Sequence, residues 1–322
     1  MKKILVTGAG GFIGGHLVKE LINRGHKVRA TDIKPFDDWY QCFQEVENFT
    51  LDMTVKENCF KATEGVYEVI NMACNMGGMG FIENNKALCM LSVLVNTHML
   101  IACKEFKIKK YFFSSSACAY NTELQQNTKI SGLKESDAYP AMPEDGYGWE
   151  KLFSERMCRH FHEDYNLDVK VARYHNIYGP NGTYDGGREK APAALCRKVI
   201  EAIRTDKKSI EVWGDGEQTR SFLYIEDCID ATLRLIDSKE TGPINIGSEE
   251  QVSINQMLDK IEVISEKKVE RKYLLDKPKG VRGRSSDNTM VKEKLDWEPK
   301  FSLSQGLEKT YFWIKNEMNK NS

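Results

Sequence analysis

A tyrosine and a lysine stand four residues apart, at Tyr147 and Lys151, a spacing that places two side chains on one face of a helix. A lysine ammonium close to a phenol favours the phenolate, so the pair can serve as a general base. Ser116 belongs to a serine cluster and can hydrogen-bond a hydroxyl that Tyr147 deprotonates. The alternative is an ordinary solvated helix face. The three residues together predict removal of a proton from a substrate hydroxyl.

A glycine pattern, GxxGxxG, lies near the N-terminus at Gly8, Gly11 and Gly14. It follows a short apolar run and opens an amphipathic stretch that begins with Phe12 and Ile13. Such glycines allow a tight turn, close approach of a pyrophosphate to the backbone, and close packing of helix on strand. The segment therefore predicts a dinucleotide site, with these five residues in contact with the cofactor.

Two acidic residues complete the predicted cofactor site. Asp32 ends the second strand, Lys27 to Thr31, about 20 residues after the glycines. A carboxylate there suits a ribose 2′-hydroxyl and repels a 2′-phosphate, which favours NAD over NADP. Asp52 lies within the next candidate strand, Phe49 to Met53, and is expected to reach the adenine edge. The nicotinamide of NAD would then accept hydride from the carbon whose hydroxyl Tyr147 deprotonates.

Composition limits the possible partners. The 322 residues include 46 Lys plus Arg and 47 Asp plus Glu, so no overall charge recruits nucleic acid or membrane. The apolar stretch Leu88 to Ile101 is shorter than the ~20 residues of a membrane span and is expected to be a core or interface helix. Nine cysteines without a CxxC pair, and six histidines without ligand spacing, argue against disulfides and metal. We expect a cytoplasmic protein without a leader, because the first strand begins at once.

Strands and helices alternate through the first 180 residues. Strands are expected at Tyr67 to Met72, Lys110 to Ser114 and Asp168 to Arg173, with helices from Glu83 to Phe106 and from Gly146. Regular alternation predicts an α/β fold with a doubly wound parallel sheet, a Rossmann-type NAD-binding domain, whose ligands lie at the carboxyl ends of the strands.

The alternation loosens after Pro180. A helix from Lys190 and a strand from Ile210 to Trp213 come first, and Ile225 to Ile236 with Ile244 to Gly247 are expected to return to the sheet. Three later segments are expected to form a smaller unit: Ser253 to Ser265, Val269 to Leu274 and a terminal helix to Met318. We therefore expect residues 1–180 to form the NAD-binding domain, with later returns near 221–247, and residues 181–322 to form mainly a smaller, mixed α/β C-terminal substrate domain.

The motifs resemble those of the extended short-chain dehydrogenase/reductase family of nucleotide-sugar epimerases and dehydratases. Besides the glycines and the Tyr–Lys pair, the resemblance rests on CNMGGMGFIENN, SSACAY, GLKESDAYPAMPEDGYGWEK, RYHNIYGPNGT, GGREKAPAALCRK, WGDGEQTRSF and GVRGRSSDN. It covers nearly the whole chain. It is closest to the branch that inverts two carbons, C3 and C5, of GDP-mannose, and it implies an isomerase with a nucleotide-sugar substrate.

The resemblance also implies roles for individual residues. Ser116, Tyr147 and Lys151 would serve oxidation at C4 of the sugar, which acidifies the hydrogens at C3 and C5. Cys118 and Lys190 would be the acid/base pair that exchanges those protons, although a buried structural cysteine and a surface lysine are the ordinary alternatives. The substrate pocket would include residues of two loops and several cations: Gly78, Met79, Asn176, Lys198, Arg220, Arg282 and Arg284.

Three other interpretations remain open at this point. A C4 epimerase, or another enzyme acting on GDP-sugars, would need Tyr147 and Lys151 but neither Cys118 nor Lys190. A dehydratase lacks support, because no Asp-Glu pair follows the serine cluster. A non-catalytic NAD-binding sensor would not need the Tyr–Lys pair. A homodimer is also expected, built on the apolar helix around Leu88 to Ile101 and the helix from Tyr147.

Overall fold

The computed structural model describes residues 2–277 and 280–320. Its centre is a parallel sheet of seven strands in the order β11-β6-β5-β4-β1-β2-β3. Among the described residues the strands are β1 (Lys3–Thr7), β2 (Lys27–Asp32), β3 (Glu47–Thr50), β4 (Glu68–Asn71), β5 (Lys110–Ser116), β6 (Asp168–Tyr174), β7 (Ile177–Tyr178), β8 (Ser209–Trp213), β9 (Thr219–Ser221), β10 (Leu223–Tyr224), β11 (Pro243–Ile246), β12 (Gln251–Ser253), β13 (Glu270–Leu274) and β14 (Gly283–Arg284).

Helices cover both faces of this sheet. In chain order they are α1 (Phe12–Asn23), α2 (Lys56–Thr63), α3 (Met79–Asn84), α4 (Lys86–Met90), α5 (Val93–Glu105), α6 (Tyr147–Tyr165), α7 (Ala191–Arg204), α8 (Ile225–Asp237), α9 (Ile254–Ser265), α10 (Thr289–Leu295) and α11 (Leu303–Lys320). Short 3₁₀ turns lie at Phe36–Asp38, Ala117–Ala119, Thr122–Gln125 and Glu135–Ala138.

The period-two alternation of β1 decides which helices pack on which face. Ile4 and Val6 belong to a large buried cluster that includes α1, α7, α8, α9 and α11, whereas Leu5 belongs to a second cluster with α2, α5 and α6. Successive side chains of a strand point to opposite faces, so both faces of this strand are buried, as a doubly wound sheet requires. The predicted fold class is confirmed.

Most predicted element boundaries agree with the structure to within a few residues, and α1 agrees at both ends. The predicted helix from Glu83 to Phe106 is wrong, because α3, α4 and α5 occupy this stretch as three separate helices. Asn85 leaves helical geometry at φ −133°, ψ 41°, and its side chain donates to Phe81 O. The Ser92 hydroxyl accepts a hydrogen bond from Asn75 N, which ties the second break to the loop after β4.

The chain after Pro180 contributes to the main sheet and to three small sheets. β11 pairs with β6 as the outermost strand, whereas Ile225–Asp237 is helix α8, which packs against α1. The small sheets are β12-β9-β14, β13-β8 and β10-β7. The division near residue 180 into a cofactor domain and a substrate domain stays a prediction.

The segment Lys86–Glu105 is long and apolar enough to meet the length and composition of a membrane span, and 44% of its most apolar window is buried in the protein. Its second half, α5, packs against α2 and α6. Core helices of globular proteins have the same composition, so this feature is weak evidence for a span.

Candidate active site

Two elements bring the predicted proton-transfer residues together at the carboxyl end of the sheet. Ser116 is the last residue of β5, and Tyr147 is the first residue of α6. The Tyr147 phenol is buried and lies close enough to the Ser116 hydroxyl for that group to act on its pKa. Gly148 allows the start of α6 to pack closely on the turn after β5, since a Cβ there would lie 2.3 Å from the Cys118 carbonyl oxygen. The structure thus brings the serine and the tyrosine close together at this end of the sheet.

Lys151 lies one helical turn after Tyr147 and is almost completely buried, with its ammonium 5.5 Å from the centre of the Tyr147 ring. Its Nζ also lies 3.5 Å from Glu150 Oε2, a buried carboxylate that sequence reasoning overlooked. Burial acts to lower the pKa of Lys151, but Cys74 and Glu150 outweigh it and raise the pKa. Lys151 therefore stays charged.

The expected lowering of the Tyr147 pKa toward neutrality is wrong for this structure. Burial raises the pKa of the phenol well above its ordinary value, and Cys74, Cys118 and Glu150 add to the increase. The Ser116 hydroxyl acts in the opposite direction. The physical reason is that desolvation outweighs the nearby ammonium, whose charge Glu150 partly neutralises.

Cys118 lies in the 3₁₀ turn that follows β5, and the Ser116 hydroxyl accepts a hydrogen bond of 3.2 Å from its backbone N–H. Arg284 on β14 donates to the Cys118 sulfur at 3.5 Å and forms a buried ion pair with Glu144. Burial raises the pKa of the Cys118 thiol to about 11, and Glu144 adds to the increase. The predicted cysteine thus lies next to a predicted arginine.

Lys190 immediately precedes α7 and lies near enough to Cys118 for their charges to interact. Burial lowers the pKa of its ammonium. The loop that carries Lys190 packs on the glycine-rich loop after β4, where Gly78 N donates to Arg188 O at 3.0 Å. A Cβ on Gly78 would lie 2.5 Å from Glu189 O, so only glycine permits this approach. Met79, the first residue of α3, follows Gly78 directly. The loop that carries Gly78 and the loop that carries Lys190 therefore meet here.

The other predicted substrate residues already have partners in the fold. Arg220 donates to the carbonyl oxygens of Thr219 and Val281, and burial lowers its pKa to about 10. Arg282 binds Asp215 through two contacts of 3.0 and 3.1 Å.

Asn176 donates to Ser221 O at 3.1 Å. Lys198 donates to Glu211 O at 2.8 Å and so spans from α7 to β8. The charge of Arg220 interacts with both Arg284 and Arg282, which places three arginines in one region. The assignment of these residues to the substrate stays a prediction.

The glycines form a cradle that a side chain would fill. A Cβ on Gly14 would lie 2.1 Å from Gly8 O, and one on Gly11 would lie 3.1 Å from the same oxygen. Gly8 has φ +67°, which favours glycine. Asp32 ends β2 nearby, and its Oδ1 accepts a hydrogen bond from Lys34 N. The cradle and carboxylate therefore fit the pyrophosphate and ribose of NAD.

Three further residues are predicted to contact the cofactor: Phe12, Ile13 and Asp52. The Phe12 ring at the start of α1 lies against Gly182, where a Cβ would be 3.0 Å away, and Ile13 packs on the same core. Asp52 lies after β3, outside any strand, and its Oδ1 accepts hydrogen bonds from both the N–H and the hydroxyl of Thr54. Its predicted contact with adenine stays a prediction.

Sequence reasoning missed four residues of this region: Trp39, Cys74, Glu144 and Glu150. Trp39 covers the glycine loop, with its ring 2.5 Å from a Cβ built on Gly10. Cys74, Glu144 and Glu150 lie within segments that carry the family resemblance, but neither their type nor their spacing singles them out. No group of three or more metal-ligating side chains occurs in residues 2–277 and 280–320.

The fold and this site define a class. Residues 4–247 match the model of the NAD dependent epimerase/dehydratase family, and the chain belongs to that family. It is 46% identical over 319 residues to the GDP-mannose 3,5-epimerase of Arabidopsis thaliana, an alignment that covers 99% of this chain and 83% of the relative.

Solved structures agree with this class. The chain resembles UDP-glucose 4-epimerase of Thermotoga maritima with UDP-glucose, at a TM-score of 0.87 and 25% identity, covering 98% and 99% of the two chains. It also resembles UDP-glucuronic acid 4-epimerase of Bacillus cereus in complex with UDP-glucuronic acid and NAD, at 0.79 and 27%, covering 98% and 99%. The protein is therefore an NAD-dependent isomerase.

Proposed function

We propose that this enzyme converts GDP-mannose by inverting C3 and C5, through a transient ketone at C4. The observation that carries the proposal is the pairing of a Ser116–Tyr147–Lys151 group with a second group, Cys118 and Lys190, close enough to interact electrostatically. Simple oxidation and reduction at C4 needs only the first group. The likeness to GDP-mannose 3,5-epimerase supports the choice of sugar and base.

The first group acts on the C4 hydroxyl. Ser116 and Tyr147 hydrogen-bond this hydroxyl, and Tyr147 accepts its proton while Lys151 stabilises the phenolate. Bound NAD supplies the hydride acceptor at C4 and a positively charged ring that favours the phenolate. Ser116 remains a hydrogen-bond donor to the C4 oxygen throughout, so the ketone stays oriented. The same residues return the proton when C4 is reduced.

The second group acts on C5 and C3. A ketone at C4 acidifies the hydrogens on both neighbouring carbons, and each inversion requires removal of a proton from one ring face and delivery to the other. Cys118 and Lys190 come from different loops, after β5 and before α7. We propose that they lie on opposite faces of the sugar.

Cations from the C-terminal half hold the diphosphate. The charge of Arg220 interacts with those of Arg282 and Arg284, so the three guanidinium groups lie in one region. A guanidinium group can donate two parallel hydrogen bonds to the oxygens of one phosphate. Gly78 and Met79 form the backbone wall on the other side, and Asn176 has a second amide hydrogen for the substrate. Lys198 lies midway along α7 and would act as a longer-range positive charge.

We also propose a homodimer. Large apolar side chains are exposed on α4, α5, α6 and the turn between the first two: Leu88, Met90, Leu91, Leu94, Trp149 and Phe153. Exposed apolar groups concentrated on neighbouring helices are typical of an interface between subunits. Leu91→Glu with Phe153→Glu should convert the dimer to a monomer in light scattering, and a wild-type monomer at micromolar concentration would contradict it.

Reduced cysteines support a cytoplasmic location. All nine are unpaired in the structure, from exposed Cys42 to buried Cys103. Free thiols persist in a reducing compartment. Fractionation of the source cells with antibody detection would test this location.

Turnover in deuterated water tests the proposed function. A 3,5-epimerase places deuterium at C3 and C5 of the product, whereas a C4 epimerase returns the hydride internally and incorporates none. NMR of the products from GDP-mannose and from UDP-glucose gives both the label position and the substrate. Product without label would favour C4 epimerisation, the second candidate, which the likeness to UDP-glucose 4-epimerase supports.

Variants separate the two groups of residues. Cys118→Ala and Lys190→Ala should each slow deuterium exchange by roughly 10²–10⁴-fold, while substrate still reduces enzyme-bound NAD. Tyr147→Phe should stop reduction of NAD as well as exchange. Normal exchange at both carbons in Cys118→Ala would remove that residue from the mechanism.

A further inference from the structure

The loop that carries Lys190 has a hinge at one end and a helix at the other. It begins with Gly186 and Gly187, whose φ values are +87° and +84° and around which a Cβ would meet no described atom within 4 Å. Glycine adopts this left-handed geometry at little cost, so the chain can bend here. At the other end, the Lys190 carbonyl oxygen accepts a hydrogen bond of 3.0 Å from Ala194 N in the first turn of α7. The position of Lys190 therefore depends on contacts made between the hinge and the helix.

Arg188 makes two of those contacts, both with the α3 region. Its guanidinium carbon lies over the Phe81 ring of α3, 4.0 Å from the ring centre. Its carbonyl oxygen accepts the 3.0 Å hydrogen bond from Gly78 N, directly before the same helix. A cation over the face of an aromatic ring is attracted by the quadrupole of the ring. The side chain and the backbone of one residue thus hold the loop on α3.

The Phe81 ring connects this contact to the candidate active site. The ring is half-buried, whereas Arg188 is exposed. Phe81 packs against a cluster of four buried residues: Ile82, Cys89, Cys118 and Tyr147. The cation–π contact therefore joins an exposed loop to the cluster that contains two of the proposed reacting groups.

Glu189 attaches the same loop to a different element. Its Oε2 accepts a hydrogen bond of 2.7 Å from Gly187 N, and its Oε1 accepts one of 3.3 Å from Arg197 Nη2 on α7. These bonds would survive the loss of the Arg188 side chain. The loop would then stay joined to α7 but could bend at its glycines away from α3, and Lys190 would move with it.

We propose that Arg188 is a positioning residue, whose guanidinium on the Phe81 ring fixes the loop so that Lys190 reaches the sugar. This inference rests on the proposed function, in which Lys190 exchanges protons with the substrate. Arg188 touches neither sugar nor cofactor in it and acts through Lys190. An exposed arginine in this region could instead bind the substrate diphosphate, and the experiments separate the two roles.

Limited proteolysis tests the contact without any substrate. Trypsin takes the side chain of the cleaved arginine into its own pocket, so Arg188 must leave the Phe81 ring before the bond to Glu189 is cut. The cleavage rate then follows the population of the open loop. Phe81→Leu should raise that rate by roughly 2- to 30-fold, the range for loss of a cation–π contact. Mass spectrometry of fragments 1–188 and 189–322 measures it.

Tyr165→Leu is the matched control. It removes a ring of α6 that makes a cation–π contact of 4.2 Å with Lys104 on α5. The control should leave cleavage after Arg188 at the wild-type rate. An unchanged rate in Phe81→Leu, or an equal rise in Tyr165→Leu, overturns the proposal. If Phe81→Leu does not fold, variants of the exposed Arg188 decide.

Arg188→Gln and Arg188→Lys test the consequence for Lys190 in the NAD-bound enzyme. With saturating GDP-mannose in deuterated water, Arg188→Gln should slow deuterium exchange by roughly 2- to 30-fold, while substrate reduces bound NAD at the wild-type rate. Arg188→Lys should restore part of the exchange, because an ammonium group also binds an aromatic face.

The remaining outcomes overturn the positioning role. A higher KM for GDP-mannose with an unchanged ratio of exchange to NAD reduction means that Arg188 binds the diphosphate. Equal loss of both steps means a general disturbance of the site. Normal exchange in Arg188→Gln, or no recovery in Arg188→Lys, means that the cation on the ring is not needed. Absence of exchange in the wild type refutes the proposed function, whereas the proteolysis result refutes only the role of Arg188.

Discussion

Arg173 and Glu155 form a buried two-point ion pair, with Arg173 Nη2 2.7 Å from Glu155 Oε2 and Nε 2.9 Å from Oε1. The pair joins β6 to α6, and the Ser115 hydroxyl on β5 donates to the same carboxylate. Arg173 also reaches Glu135 O at 2.7 Å. Ser115 directly precedes Ser116 on β5, and α6 carries Tyr147 and Lys151. Through Ser115, the Glu155 carboxylate therefore connects β5 to α6, the two elements that form the site.

Breaking this pair should destabilise the protein severely. Arg173→Met leaves the Glu155 carboxylate buried and short of partners, which costs about 3–5 kcal/mol in free energy of unfolding. Urea denaturation followed by circular dichroism gives that value. Lys292→Met is the control, because the Lys292–Glu298 pair is exposed to solvent, which screens its charges. Equal losses in the two variants would contradict the structural role of Arg173.

The glycine cradle should not tolerate a methyl group at Gly14. Its added Cβ would lie 2.1 Å from Gly8 O, so the loop must shift by more than the cofactor can accommodate. Overpacking of this kind costs about 1–3 kcal/mol, which corresponds to roughly 5- to 150-fold weaker NAD binding in a fluorescence titration. Gly15→Ala is the neighbouring control, since its Cβ meets mainly the movable Gln41 side chain at 3.2 Å. Comparable losses at both positions would show that helix packing, not the cradle, limits binding.

Asp32 should set the preference for NAD over NADP. A carboxylate opposite a 2′-phosphate is a like-charge contact that costs several kcal/mol, so the wild type should bind NAD at least about tenfold more tightly. Asp32→Ala should reduce that ratio toward one, as measured by titration with both cofactors. Asp52→Ala should leave the ratio unchanged, because the adenine is common to both. A wild type that binds NADP equally well would contradict the assignment.

Glu68 should make stability depend on pH. Burial in β4 raises the pKa of this carboxyl to about 7, above its ordinary value. A carboxyl that binds its proton more tightly in the folded state favours folding at low pH. This favourable contribution is lost as the pH rises through about 7. Glu68→Gln should therefore raise the free energy of unfolding at pH 8, by about 1–3 kcal/mol, and by less at pH 5.

Glu47 provides a comparison in which the pKa of a carboxyl is shifted in the opposite direction. The hydrogen bond from Arg29 holds the pKa of the Glu47 carboxyl below its ordinary value. Its contribution to stability is present at neutral pH and is lost as the pH falls, so Glu47→Gln should weaken the protein at pH 8. Urea titrations at both pH values measure both variants. A Glu68→Gln variant that is less stable than the wild type at pH 8 would contradict the assigned shift.

Local pattern was sufficient for the scaffold and for part of the site. The spacing of Gly8, Gly11 and Gly14 predicted the turn and α1, because these requirements act within a few residues of chain. Apolar runs predicted the parallel strands, and their carboxyl ends predicted where Ser116 and Tyr147 meet. The helix from Glu83 to Phe106 was predicted wrongly because Asn85 leaves helical geometry and bonds back to Phe81 O, while Ser92 bonds to the loop after β4, and propensity does not encode either contact.

The sequence by itself thus determined the fold class, the cradle for NAD and the Tyr147–Lys151 pair, since each depends on short-range spacing. Only the tertiary structure decided the electrostatics of the site. Glu144 meets Arg284 across 140 residues, and the packing of α6 buries the neighbouring Glu150 and Lys151 side chains together. Burial and long-range charge raise the pKa values of Tyr147 and Cys118, and neither effect is visible before the chain is folded.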